Sequence, residues 1–214
     1  MAPQMTCASK KRYKISWPTF KRLNPFLASL LCLAIQQSAT AEQFGLRMGE
    51  SASQIKAKGI PLKKEQGLVW STPKVPNGNR TFDDYRLLIS PKSGLCKIMA
   101  WTPRIEDSKY GDKTKDTFES LKTALTNKYG TPSNEFDFLR SGATWRENGE
   151  FMWSLYKKER YLSAYWKPGK GDISSIALEV SGISPEIALI SVSYEFANND
   201  KCYDEMKRVD SSNL

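Results

Sequence analysis

The sequence predicts an α+β domain of two layers: an antiparallel sheet with helices packed on one face and the other face open. Three observations carry this expectation. Strand-like segments come in adjacent runs, which favours antiparallel pairing over parallel crossover units. One long amphipathic helix, Thr114 to Tyr129, lies between two such runs. The last strand, 187–196, alternates cleanly, with Ile190, Val192, Tyr194 and Phe196 on one side and Ser191, Ser193 and Glu195 on the other, the mark of one packed and one wet face.

The first 41 residues read as a secretory signal. Lys10, Lys11, Arg12, Lys14, Lys21 and Arg22 are basic, and no acidic residue precedes Glu42. Phe26 to Ile35 is a short apolar run, and Ala39-Thr40-Ala41 supplies the small residues of a cleavage site. Cleavage is expected after Ala41, with the true start at Met5 or later. The apolar run is too short to span a bilayer as a helix, so no stable membrane anchor is expected after cleavage. Leu31 precedes Cys32 where a lipoprotein signal wants a small residue.

Export changes the charge argument. The whole chain carries 32 Lys+Arg and 23 Asp+Glu, net +9. Six basic and no acidic residues leave with the signal, so residues 42–214 carry 26 against 23, or +3. Such scattered, nearly balanced charge gives no footprint for nucleic acid. There is no histidine, which excludes Ser-His-Asp and Cys-His catalysis and the commonest metal ligand. Cys7 and Cys32 precede the cleavage point; Cys96 and Cys202 remain and are expected to form a disulfide in an oxidising compartment, periplasmic or extracellular.

From Phe44 the elements follow in order. Phe44, Leu46 and Met48 alternate as a short strand, and Gly49 marks a turn. Ser51 and Gln54 have capping-box spacing for a helix over 51–58, closed by Gly59 and Pro61. Gly67–Ser71, Tyr85–Ser90 and Leu95–Thr102 read as strands, the last two joined by Pro91-Lys92-Ser93-Gly94. On the third of these, Cys96, Ile98 and Ala100 share one face, and Leu95, Lys97, Met99 and Trp101 the other. In the central helix Phe118, Leu121, Leu125 and Tyr129 form one stripe, and Gly130 with Pro132 ends it. Phe136–Leu139 and Ala143–Arg146 read as strands before the Asn148-Gly149 turn signal. Phe151–Tyr156 and Tyr161–Lys167 read as a strand pair, then Ile173–Val180, Ile187–Phe196 and a helix near 200–209. This order suits one domain, 42–214, and also two similar tandem halves, 42–108 and 109–214.

The strand, glycine turn, Ser51 cap and short helix ending at Gly59-Ile60-Pro61 resemble the opening of the SmpA/BamE outer-membrane-assembly lipoproteins and of the beta-lactamase-inhibitor-protein fold. The stretch Phe118 to Pro132 is similar to a pattern in secreted bacterial proteins. The resemblance implies an architecture for small exported proteins and carries no functional residue. The lipobox of the assembly lipoproteins is absent.

Candidate binding residues lie on 151–167. With Phe151, Trp153 and Leu155 inward beside Leu162, Ala164 and Trp166, the opposite face would show Met152 and Tyr156 with Tyr161, Tyr165 and Lys167. A tyrosine row of this kind suits a protein interface, because each ring buries much area at little entropy cost. Ordinary cross-strand pairing accounts for the same row. Glu147 with Glu150, and Asp83 with Asp84, are the paired carboxylates a glycoside hydrolase would need, with Trp145 and Trp153 as sugar platforms. No phosphate loop, dinucleotide fingerprint or calcium loop occurs, so no cofactor or metal is expected. Three readings stand: a non-enzymatic module binding a protein of the cell envelope, of inhibitor, immunity or assembly-accessory type; a glycan or small-ligand binder; and a carboxylate hydrolase. The first is preferred.

Overall fold

The computed structural model describes residues 42–169 and 171–211. The expected signal peptide, with Cys7 and Cys32, lies outside them.

Two short strands, β1 (Glu42–Gln43) and β2 (Leu46–Arg47), pair antiparallel around Phe44 and Gly45. The single strand expected from Phe44 to Met48 is therefore a tight hairpin. Phe44 itself is left-handed, with φ 55°, and its ring packs against Phe82, Tyr85 and Tyr194 at 6.0, 5.4 and 5.7 Å. Helix α1 (Ala52–Ala57) follows with the expected capping box. Ser51 N–H donates to Gln54 Oε1 at 2.8 Å, and Gln54 N–H donates to Ser51 Oγ at 3.2 Å.

Next comes a meander of β3 (Lys63–Lys64), β4 (Val69–Thr72), β5 (Asp84–Ser90) and β6 (Gly94–Trp101). A short β7 (Ile105–Glu106) leads into α2 (Asp112–Tyr129). A second meander is built from β8 (Asn134–Leu139), β9 (Arg160–Trp166), β10 (Ile173–Ser184) and β11 (Ile187–Phe196), with a one-turn helix, α3 (Phe151–Tyr156), inserted between β8 and β9. Helix α4 (Asn199–Ser211) follows. The strands form one nine-stranded sheet, ordered β3-β4-β5-β6-β11-β10-β9-β8 with β7 beside β11, and every pairing is antiparallel. A helix and then four strands occur twice along the chain, and the two meanders meet through their last strands, β6 and β11.

One face carries the main core. Tyr85, Leu87, Ile98, Leu162, Trp166, Leu178 and Ile190 are buried there beneath α1, α2 and α3. The predicted stripe of α2 faces this core, with Phe118 and Leu125 buried and Leu121 and Tyr129 partly so. Among the described residues no helix is long and apolar enough to cross a membrane.

Helix α4 covers one corner of the opposite face, where Leu68, Leu88, Cys96 and Cys202 form a small separate cluster. Cys96 and Cys202 are disulfide-bonded, with Cα atoms 6.4 Å apart and 106 residues between them in sequence. The facing of this part of β6 differs from expectation. Leu88 pairs with Lys97 but Ile89 pairs with Leu95, so Cys96 is the extra residue of a bulge. The bulge turns Leu95 into the main core with Ile98 and Ala100, and gives Cys96 to α4.

Two further strands expected from the sequence are not strands. Ala143–Arg146 is a loop, held by Glu159 Oε2, which accepts from the N–H groups of Thr144 (2.7 Å) and Trp145 (2.9 Å). Phe151–Tyr156 is α3, in which Phe151, Met152, Ser154 and Leu155 are buried. Asn148-Gly149 opens a 3-10 turn, Asn148–Glu150, rather than a hairpin. Glu147 and Glu150 cap that turn reciprocally, with Glu147 N–H donating to Glu150 Oε2 at 3.0 Å. The backbone there winds into a helix because its terminal donors find side-chain acceptors.

Candidate functional site

The site forms where β8 and β9 run along the end of the sheet. Pro132 and Gly130 stop α2, and Trp166 Nε1–H donates to the Gly130 carbonyl at 2.9 Å, so β9 is fastened beneath the end of that helix. This fixes the facing of β9: Leu162, Ala164 and Trp166 point into the core, and Tyr161, Ser163 and Tyr165 point the other way. Register then sets β8. Phe136 lies opposite Ser163 and Phe138 opposite Tyr161, so both phenylalanines share the open face.

Four rings meet in a row. Tyr165 and Phe136 have centroids 5.9 Å apart, Phe136 and Phe138 6.0 Å, and Phe138 stacks on Tyr161 at 5.2 Å with planes 20° apart. Phe136, Phe138 and Tyr161 remain 40%, 45% and 45% exposed. These are high values for three large hydrophobic side chains in contact with one another, so the strip is a patch rather than scattered surface residues. The Tyr165 hydroxyl donates to Glu179 Oε1 at 2.6 Å. Burial, then the Glu179 carboxylate, push this phenol above its ordinary range, against a hydrogen bond with Ser163 that lowers it.

Beyond the strip the open face carries Ser175, Ala177, Glu179 and Ser181 on β10, and Leu189, Ser191 and Ser193 on β11, by the register of those strands. On β6, Trp101 lies beneath Arg86 at 5.1 Å. Lys97 and Glu195 pair across β6 and β11 at 2.8 Å.

No family model, curated protein or solved structure matches this chain. The geometry alone carries the functional argument.

Of the residues singled out in the sequence, Tyr161 and Tyr165 lie on the open face of β9. Met152 does not: it is fully buried on α3, with its sulfur 3.8 Å from the Thr114 hydroxyl. Tyr156 is exposed at the end of α3, edge-on to Trp153 at 6.1 Å, on a helix rather than on a strand paired with β9. Lys167 is exposed just past β9. The expected grouping of Met152 and Tyr156 with the β9 tyrosines rested on a strand that is a helix. Phe136 and Phe138 were not singled out. Their signal was the alternation Glu135-Phe136-Asp137-Phe138 beside a tyrosine strand, legible once β8 and β9 are known to pair.

A second concavity lies near α3. A cleft of about 760 Å³ is bounded by residues 106–109, Trp153 and the β10–β11 turn. Trp153 stacks on Trp145 at 4.8 Å, planes 16° apart. Asp107 in its wall is committed to α2: Oδ2 accepts from Thr114 N–H (2.7 Å) and Thr114 Oγ1–H (2.8 Å). Among the described residues no group of three or more His, Cys, Asp or Glu could hold a metal ion.

Proposed function

We propose that this chain is an exported, non-enzymatic binding module that recognises another protein of the cell envelope, of inhibitor, immunity or assembly-accessory type. The observation that carries the reading is the contact row of exposed Phe136, Phe138, Tyr161 and half-buried Tyr165 on an uncovered sheet face. Phe136, Phe138 and Tyr161 still show 40–45% of their surface, so a partner that buries the remainder gains about half or less of the roughly 1.5–3 kcal/mol of full burial for each. Rigid rings also lose little entropy on binding. The Cys96–Cys202 disulfide fits an oxidising compartment.

The oxidised protein, used as bait against envelope and secreted fractions, is expected to retain one stoichiometric protein. The Tyr161→Ala, Tyr165→Ala double variant should fold, by circular dichroism and thermal melting, and lose that partner. A folded double variant that still captures the same protein removes this face from the proposal.

The cleft beside Trp153 favours a second reading, a glycan or small-ligand binder, since its volume is in the range of small-molecule sites. A carbohydrate screen tests it. A hit abolished by Trp153→Ala and indifferent to Tyr161→Ala would support that reading over the first.

A further inference from the structure

The nine-stranded sheet ends in two unlike edges. At one end β3 is two residues long, and both are lysines. Short length and lysine are the usual protections against unwanted strand pairing. At the other end β8 runs for six residues, Asn134–Leu139, with no lysine, proline or bulge. Its outer backbone is ordered for pairing. Arg140 N–H donates to the Glu159 carbonyl at 2.7 Å, so in the same register Phe136 and Phe138 are hydrogen-bonded to β9. The alternation then turns the N–H and C=O groups of Glu135, Asp137 and Leu139 outward.

Side chains along this edge are sorted by charge. Phe136 and Phe138 point to the open face. Glu135 and Asp137 point to the helix side, where Glu135 shares the Lys122 ammonium with Glu119, and Asp137 Oδ1 accepts from Arg160 at 2.6 Å. In these pairs three carboxylates, Glu119, Glu135 and Asp137, meet two cations, Lys122 and Arg160. Beside Glu135 lies a hollow of about 290 Å³ against α2, lined by Lys122, Thr123, Thr126, Asn127, Pro132 and Glu135.

We infer that β8 accepts an added antiparallel strand from the partner, an extended segment in which basic residues alternate with apolar ones. Apolar side chains of that segment lie beside Phe136 and Phe138 and continue the aromatic strip. Basic ones lie beside Glu135 and Asp137. Opposite charges across a pair favour this partner. A second copy of the chain is disfavoured, since residues directly opposite in an antiparallel pair share a face. The two registers that set Phe136 against Phe136 or Phe138 also set Glu135 against Asp137, or Asp137 against Asp137, and the third, Phe138 against Phe138, leaves Phe136 opposite Arg140 and Asp137 opposite Leu139, so no self-pairing matches both the rings and the charges. This inference rests on the protein-binding reading and specifies how the partner is held.

The test uses the oxidised full chain and synthetic eight-residue peptides. One alternates valine and lysine; the second replaces lysine with glutamate; the third is the lysine peptide N-methylated at alternate residues along its pairing edge. The lysine peptide is expected to slow amide exchange at Glu135, Asp137 and Leu139 at least tenfold, as read by NMR. It should bind at least tenfold more tightly than the glutamate peptide, and N-methylation should abolish binding. Glu135→Gln with Asp137→Asn should remove the preference for lysine and keep the sensitivity to N-methylation. Equal binding of the N-methylated peptide, or no protection of the three amides at millimolar lysine peptide, overturns strand addition. Either of those results together with retained Tyr161- and Tyr165-dependent capture leaves the aromatic face as the site and removes only its edge. Loss of that dependence removes the broader reading.

Discussion

Asp107 supplies what the N-cap of α2 lacks. That position is Gly111, left-handed at φ 69° and without a side chain to accept from the first turn. Asp107 reaches back from before the turn to take the Thr114 amide and hydroxyl on Oδ2, and the Ser108 amide on Oδ1 at 2.7 Å. Partial burial raises its pKa, but these bonds together outweigh burial and hold the carboxyl below its ordinary range. A folded-state pKa below the unfolded one means stability that is present above the unfolded value and lost as pH falls through the folded value. Asp107→Ala is therefore expected to cost about 1 kcal/mol in urea unfolding at neutral pH. The gap from the parent should close as the pH is lowered through the carboxylate range; a gap independent of pH would show that the charge is not involved. Thr102, buried at the junction of the two meanders, poses a similar test. Its Oγ1 accepts from Ile190 N–H at 3.1 Å. Thr102→Val leaves that donor unpaired and should cost about 1–3 kcal/mol, with exchange at the Ile190 amide as the local readout.

At the scale of elements, α4 is tied to β6 by the Cys96–Cys202 disulfide. Beyond the disulfide it is held by the small cluster with Leu68 and Leu88 and by the bond between Ser90 and Glu205. Replacing Cys96 and Cys202 by alanine should lower stability by about 2–5 kcal/mol and raise exchange in α4 above that in β10. Uniform exchange across both would show that α4 docks without the bond. The disulfide was legible because two cysteines remain after the expected cleavage. So were α1, from Ser51 and Gln54, and α2, from one stripe of apolar residues: each signal lies within a few residues of the element it defines. What failed depended on groups far along the chain or on competing local signals. Phe44 alternates with Leu46 and Met48, yet the backbone turns back at Gly45 to seat the Phe44 ring against Tyr194. The apolar run at Phe151 suits strand as well as helix, and it continues as helix directly from the 3-10 turn that Glu147 and Glu150 cap. The bulge at Cys96 presents that residue to α4, a hundred residues later. In the candidate site, the tyrosines of β9 were legible from alternation within one strand. The phenylalanines of β8 were not, because their place on the strip needs the pairing of β8 with β9.

Over the whole molecule, the two helix-and-meander halves share one core. Tyr85, Leu87 and Ile98 of the first pack in the same cluster as Trp166, Leu178 and Ile190 of the second, and β6 and β11 join the halves as ladder neighbours. Neither half can expose its face to water without the other doing so. Urea unfolding is expected to be a single transition, with probes at Trp70 and Trp166 coincident; separated midpoints would show that the halves fold alone. The unlike ends of the sheet have a further consequence. A sheet open at both ends can be lengthened from either, and copies or partners then join without limit into filaments. Among the described residues Lys63 and Lys64 shut one end of the large sheet and β8 leaves the other open. Strand pairing with this chain therefore has a valence of one: the protein can terminate a sheet but cannot propagate it, and an assembly it joins in this way closes at a fixed stoichiometry.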